Sequence, residues 1–185
     1  MPLVPADFAL LLIDIQPGIA EFSRTSSSAS VIRAASTAAV IAKLLDIPAF
    51  VSVVPTSADA PKPVAELETL PTYARHLFGS LDQPEIRDAI AATGRKAIAI
   101  GGIASEVAVL QGALSAIRAG YTVHILTDCC GGLTARTEAA AFRQLETAGA
   151  TLSSVASLFT TLQPDFANPQ TGQMLGLLMG LISNP

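Results

Sequence analysis

Asp14, Arg75 and the stretch Gly101-Gly102-Ile103-Ala104-Ser105-Glu106-Val107-Ala108 carry the positions best suited to chemistry in this chain. Asp14 directly follows a wholly apolar run and precedes Ile15 and Gln16. A carboxylate there is partly desolvated, which raises its pKa unless a cation lies nearby and suits acid–base work. The plainer reading is a carboxylate that caps a loop. Arg75-His76 is a basic pair in a stretch that is otherwise acidic to neutral. Arg75 either holds Asp14 ionised, clamps a substrate carboxylate in bidentate fashion, or is a surface arginine. His76, as a lone histidine, reads as structural. In the glycine-led stretch a strand gives way to a helix. A side chain in the first helical turn lies near partly positive backbone N–H groups. A cysteine there would gain thiolate character and become a nucleophile. This chain has Ala108, a methyl group.

Other signatures are missing. Gly101-Gly102 is followed by Glu106 and Val107, not by the further glycines of a dinucleotide fingerprint. No Walker lysine, G-x-S-x-G elbow or H-E-x-x-H pair occurs. The two cysteines are adjacent, Cys129 and Cys130. They read as reduced thiols, and two thiols alone do not make a zinc site. Cys129 is either a displaced nucleophile or a small buried hydrophobe.

These positions need elements to hold them. Residues 8–14 form a short continuous apolar run, the mark of a parallel strand buried on both faces. Residues 49–54, 96–100, 121–126 and, more weakly, 151–155 read as further strands. Helical spacing spans residues 31–45, after a loop at Thr25-Ser26-Ser27-Ser28. Asp82-Gln83-Pro84-Glu85 has the chemistry of a helix start, with Asp82 as the capping acid and Gly94 as the stop. Ser105 is expected to cap a helix ending at Gly120, and a further helix spans residues 134–148. Residues 55–71 contain four prolines and read as a long irregular connection. Strands alternating with helices mean a parallel sheet with right-handed crossovers. In such sheets ligands bind beyond the carboxyl ends of the strands. That selects Asp14, Ser57 and Asp59, Arg75 and His76, Ser105 to Ala108, and Asp128 to Cys130.

The chain's 185 residues fit one domain, expected over residues 1–162, with an apolar tail over 163–185 that packs on a neighbouring subunit. Hydrophobic residues make up 50% and charged residues only 14%, which points to further burial in a homo-oligomer. The net charge of −4, without a basic run, argues against nucleic acid and anionic membranes. Asp14 breaks the first apolar run and the N-terminus lacks a basic segment, so neither a secretory signal nor a membrane span is expected and the reading is cytoplasmic.

The pattern resembles a known family. Leu11-Leu12-Ile13-Asp14-Ile15-Gln16 is similar to the opening strand of the isochorismatase-like hydrolases, also called the cysteine hydrolase superfamily. Residues 100–109 resemble their G-[VI]-x-[TS]-[DE]-x-C-V stretch. The likeness continues through residues 113–121 and ends on residues 123–129, similar to V-x-x-[VL]-x-D-[AC]. It covers about residues 7–160 and looks like the oligomeric bacterial subgroup of uncharacterised hydrolases, not the nicotinamidases. The resemblance implies a three-layer α/β/α, Rossmann-like open sheet, mainly parallel, of about six strands.

The family's triad is an aspartate, a lysine and a cysteine. By resemblance Asp14 takes the first position. Arg75 takes the lysine position in Arg75-His76-Leu77-Phe78-Gly79-Ser80-Leu81, which is similar to K-x-x-x-[SA]-x-F. Ala108 takes the third. The family's non-proline cis peptide would fall at Ile103–Ala104. Gln16, Phe22, Phe78, Ile103 and Ala104 are expected to line a substrate pocket, with Leu81 beside them. Pro55-Thr56-Ser57-Ala58-Asp59 supplies too few ligands for the metal of nicotinamidases, so neither metal nor cofactor is expected. Vinyl-ether-cleaving members of the family work without the cysteine, by aspartate protonation of carbon followed by addition of water. The resemblance therefore leaves two main functions open. One is a small-molecule hydrolase using Asp14 without a thiol. The other is a degenerate member that binds a small molecule or serves as an oligomeric interaction protein. Rescue by Cys129 is a third, lesser reading.

Overall fold

The structure is a computed structural model that describes residues 4–56 and 60–182. Six strands form one sheet: β1 (Phe8–Ile13), β2 (Ala49–Val53), β3 (Thr72–Ala74), β4 (Ala97–Ile103), β5 (Thr122–Gly131) and β6 (Thr151–Ser153). Their spatial order is β3-β2-β1-β4-β5-β6, and every neighbouring pair is parallel. The chain winds outward from β1 in both directions, so the sheet reverses order between β1 and β4. That switch point is where the carboxyl ends of two strands part and a crevice opens.

Both faces of the sheet are covered, which is why β1 is apolar throughout. Phe8, Leu10 and Leu12 join a core with helices α1 (Ser28–Leu44), α5 (Val155–Leu162) and α6 (Pro169–Ile182). Ala9, Leu11 and Ile13 point the other way, towards helices α2 (Pro84–Ala91), α3 (Leu110–Arg118) and α4 (Ala135–Thr147). The three-layer α/β/α reading therefore holds, and the family-like opening strand is the central strand of the sheet.

Several local expectations hold and several are corrected. Ser27 caps α1 by accepting from the Ser30 backbone N–H at 3.1 Å. Thr134 caps α4 by accepting from the Thr137 N–H at 3.1 Å. Pro84 opens α2, but the residue before it is Gln83, without a side-chain cap. Asp82 pairs instead with Arg118 at the end of α3, at 3.0 Å. Ser105 does not cap its helix either. Residues Ser105–Val109 form a π turn, with the Val109 N–H donating to the Ala104 carbonyl at 3.2 Å, before α3 proper begins. The strand read over 121–126 runs on to Gly131, so Asp128, Cys129 and Cys130 lie within β5 and not beyond it. The irregular connection is followed by β3, a short edge strand whose half-exposed Thr-Tyr-Ala sequence carries no strand signal.

The tail is helical. α6 lies on α1, with Met174 and Leu178 buried and the Gln170 Nε2 donating to the Leu44 carbonyl at 2.7 Å. It covers its own chain's first helix and leaves its other face, Met179 included, exposed.

Gly101 and Gly102 let β4 close against both neighbours at the switch point. A Cβ on Gly102 would run into the Ile13 carbonyl oxygen, and one on Gly101 would stand 2.5 Å from the Cys129 Cβ. Backbone and packed core would have to move to admit either methyl group. Gly102→Ala is expected to destabilise the chain by about 2 kcal/mol, the usual scale of core overpacking, as read by urea unfolding.

Candidate active site

Asp14 is placed by a backbone turn. The residue has φ +56°, in the left-handed region that aspartate tolerates better than most side chains. Its N–H still donates to the Ser52 carbonyl at 2.9 Å, as a last rung of the ladder with β2, while its carbonyl accepts from the Gln16 N–H at 2.9 Å. The chain thus leaves β1 abruptly and the carboxyl group stays over the strand ends. The Gln16 side chain is not available to a substrate, which corrects the expectation. Its Nε2 donates to the Val54 carbonyl and its Oε1 accepts from the Val54 N–H, each at 2.9 Å, tying the exit of β1 to the end of β2.

Arg75 comes from the sheet edge. Its N–H donates to the Val53 carbonyl at 2.9 Å, so it stands at the carboxyl end of β3. β3 is two strands away from β1, about 10 Å at the usual inter-strand spacing. A long side chain is needed to cross that distance. The guanidinium Nη2 donates to Asp14 Oδ2 in a buried ion pair. Nη1 donates to the Leu77 carbonyl at 2.6 Å and leans on that of Phe78 at 3.4 Å. Arg75 is only 3% exposed. Of the three readings left open for it, the geometry is that of the partner of Asp14, neither a surface arginine nor a free fork waiting for a substrate carboxylate. Asp14 Oδ1 and Arg75 Nε are buried without a hydrogen-bond partner.

Burial dominates the electrostatics of the pair. It pushes the Asp14 carboxyl up, the Arg75 charge and hydrogen bond pull it back, and the result stays raised from 3.8 to about 6. Around the pair lies a cavity of about 290 Å³, close to the lower end of the ~300–1,000 Å³ usual for small-molecule sites. Phe22, Phe78, Ile103, Ala104 and Ala108 all line it, as do Ile19, Val54, Val107 and Leu133. Leu81 does not; it is buried among α2 and α3 in the core of the opposite layer. His76 is exposed and borders a separate depression with Pro55 and Leu77. Ser57 and Asp59 lie outside the described residues.

The peptide bond between Ile103 and Ala104 is cis. Beyond it, the π turn brings the Ala108 methyl group to the cavity wall, 3% exposed. Residues at the start of α4 that carried no signal as site elements, Glu138 and Thr137, fix this turn with Leu133. The Ser105 hydroxyl donates to Glu138 Oε1 at 2.7 Å. Glu106 Oε1 accepts from the Leu133 N–H at 3.0 Å and from the Thr137 hydroxyl at 2.5 Å. Burial pushes the Glu106 carboxyl up, but these donors outweigh it and hold it below the ordinary glutamate value. Thr134 before the helical run hints at the α4 cap, but nothing local signals the pairing of that turn with residues 105 and 106.

Neither cysteine lines the cavity. Cys129 is fully buried, and burial, then the Asp128 charge, push its thiol well above the ordinary range. Cys130 is pushed up to about 12, chiefly by burial. Burial also raises Asp128, whose carboxylate accepts from the Val155 N–H at 3.0 Å and so ties β5 to the start of α5. Among the described residues no group of three or more His, Cys, Asp or Glu could hold a metal ion. No helix among them is long and apolar enough to cross a membrane.

A strand-end aspartate beside a cation, with residue 108 on the same cavity beyond a Gly-Gly strand, brings together the positions that the sequence resemblance picked out. The isochorismatase domain model matches residues 8–157. The chain belongs to the isochorismatase family. Among its isochorismatase relatives, the probable hydrolase YcaC of Escherichia coli is 29% identical over 171 residues, covering 90% of this chain and 82% of the relative. The secreted isochorismatase effector Isc1 of Phytophthora sojae is 26% identical over 176 residues, covering 91% and 82%. YcaC from Pseudomonas aeruginosa, solved with hexane-2,5-diol and covalent acrylamide, has a TM-score of 0.88 at 26% identity and covers 98% of this chain and 94% of its own. The E. coli YcaC structure, described as an octameric hydrolase of unknown specificity, has a TM-score of 0.86 at 27% identity and covers 100% and 90%.

The raised Asp14 pKa has a consequence for stability. Folded Asp14 keeps its proton up to about pH 6, whereas the unfolded chain gives it up near 3.8. The contribution is therefore complete below pH 3.8 and is lost as pH rises through about 6. A shift of this size corresponds to about 3 kcal/mol. Between pH 4 and 7, urea unfolding is expected to show wild type losing about that much stability relative to Asp14→Asn. Asparagine is the replacement of choice because it also tolerates the left-handed backbone.

Proposed function

We propose that the chain is an isochorismatase-like hydrolase of a small molecule, in which Asp14 performs acid–base chemistry without a cysteine nucleophile. The observation that carries this reading is the Asp14 carboxyl itself: buried at the cavity, raised to about 6, with Oδ1 free of protein partners. At pH 7 about one such group in ten holds its proton, enough for a general acid that is restored each turnover. The protonated carboxyl gives its proton to a substrate atom. For a vinyl ether, water then adds to the oxocarbenium cation so formed, its proton returns to the carboxylate, and the resulting hemiketal collapses to a carbonyl compound as the C–O bond breaks and the alcohol leaves. Arg75 stabilises the carboxylate at that stage and fixes its direction. Ala108 excludes an acyl-thioester route at its own position, and the buried cysteines offer no substitute.

The relatives support hydrolysis in general terms, since YcaC of E. coli is described as a probable hydrolase and as a hydrolase of unknown specificity, but not a particular bond. The octameric YcaC of E. coli also supports a homo-oligomer for this chain. Size-exclusion chromatography with light scattering is expected to give an integral multiple, above one, of 19.0 kDa.

A panel of isochorismate, simple vinyl ethers and simple amides tests the chemistry. Wild type is expected to turn over at least one of them, with kcat/KM falling as pH rises through about 6. Asp14→Asn should lower that rate by about 100-fold or more. The competing reading, a degenerate member that only binds, draws on the methyl group at position 108. It takes over if wild type is silent on every compound while Ala108→Cys gains amidase activity.

A further inference from the structure

We infer that this cavity takes an uncharged, mainly apolar small molecule and discriminates against carboxylates and other anions. The inference rests on the reading of the cavity as the working site, though not on the reaction carried out there. Apart from Asp14 and Arg75, its wall is apolar, and Phe22, Phe78, Ile103, Val107 and Leu133 make most of it.

Arg75 is the cation of that wall, and its charge is already matched. Nη2 serves Asp14 and Nη1 serves two main-chain carbonyls, so an incoming carboxylate would have to compete with a covalently fixed one. The surroundings do not help it. Glu106, which lies behind Leu133 and holds its N–H, and Glu138 beside it are both acidic. An anion would lose its hydration to enter a site whose own pair sums to zero.

A neutral group meets the opposite situation. The two polar atoms left without partners are one acceptor, Asp14 Oδ1, and one donor, Arg75 Nε. Both atoms are buried, so the surface offered to an incoming molecule is mainly the apolar wall, which a neutral, mostly apolar body fills without giving up a charge's hydration.

The test uses binding, with two probes of similar shape that have no bond to hydrolyse: 2-phenylethanol and phenylacetate. Isothermal titration of the full wild-type chain at pH 7.5 is expected to show 2-phenylethanol binding at least ~10-fold more tightly. Val107→Trp, which narrows the cavity from its exposed rim, is expected to lose that binding while keeping the wild-type circular dichroism spectrum. Phenylacetate binding as tightly as the alcohol, or more so, overturns the inference. So does the absence of binding by either probe, or 2-phenylethanol binding undiminished in Val107→Trp. Because neither probe is a substrate, failure of the Asp14 chemistry in the activity panel leaves this result standing, and failure here leaves the chemistry untouched.

Discussion

Asp14 and Arg75 form an ion pair that is nearly out of reach of water, and the character of the whole cavity follows from that burial. Two opposite charges taken from water attract strongly but recover little net energy, because desolvation offsets the attraction. Here desolvation wins: the carboxyl is raised even with a guanidinium on it. The pair is therefore better understood as a chemical device than as a stabilising strut. The rest of the molecule is arranged to hold it in place. The left-handed turn at Asp14, the Gln16 clamp on Val54 and the reach of Arg75 from the edge strand each fix one of its degrees of freedom.

The opposite wall is built on close backbone approach. Gly101 and Gly102 allow β4 to sit against Ile13 on one side and Cys129 on the other. The chain then turns through the cis peptide into a π turn pinned by Glu106 and Glu138. All of this machinery presents residue 108 to the cavity, and residue 108 is alanine. The ionisable group that the cavity wall offers beside it is one buried carboxyl with a guanidinium partner.

Legibility divides along the range of the interactions. Apolar continuity in residues 8–13 and the alternation of strands with helices were enough for the parallel sheet, and the family resemblance implied its three layers. They also marked Asp14 and Ala108 as neighbours at strand ends, since local patterns decide which strands are buried and ligands gather beyond their carboxyl ends. Ser105 and Asp82 misled for a shared reason. Each has the chemistry of a cap, but a partner distant in sequence, Glu138 or Arg118, claims the side chain first. Gln16 was drawn away from the pocket in the same manner by Val54.

The sequence by itself determined the fold class, the family and the absence of a thiol at position 108, because each of these is written in short runs of neighbouring residues. The tertiary structure alone decided what Arg75 does, how far Asp14 is desolvated, that α6 covers α1 of its own chain and that both cysteines are inert. The physical reason is that burial and charge compensation are sums over side chains brought together from 60 or more positions apart, as Asp14 and Arg75 are at a separation of 61 residues. No local pattern carries such a sum.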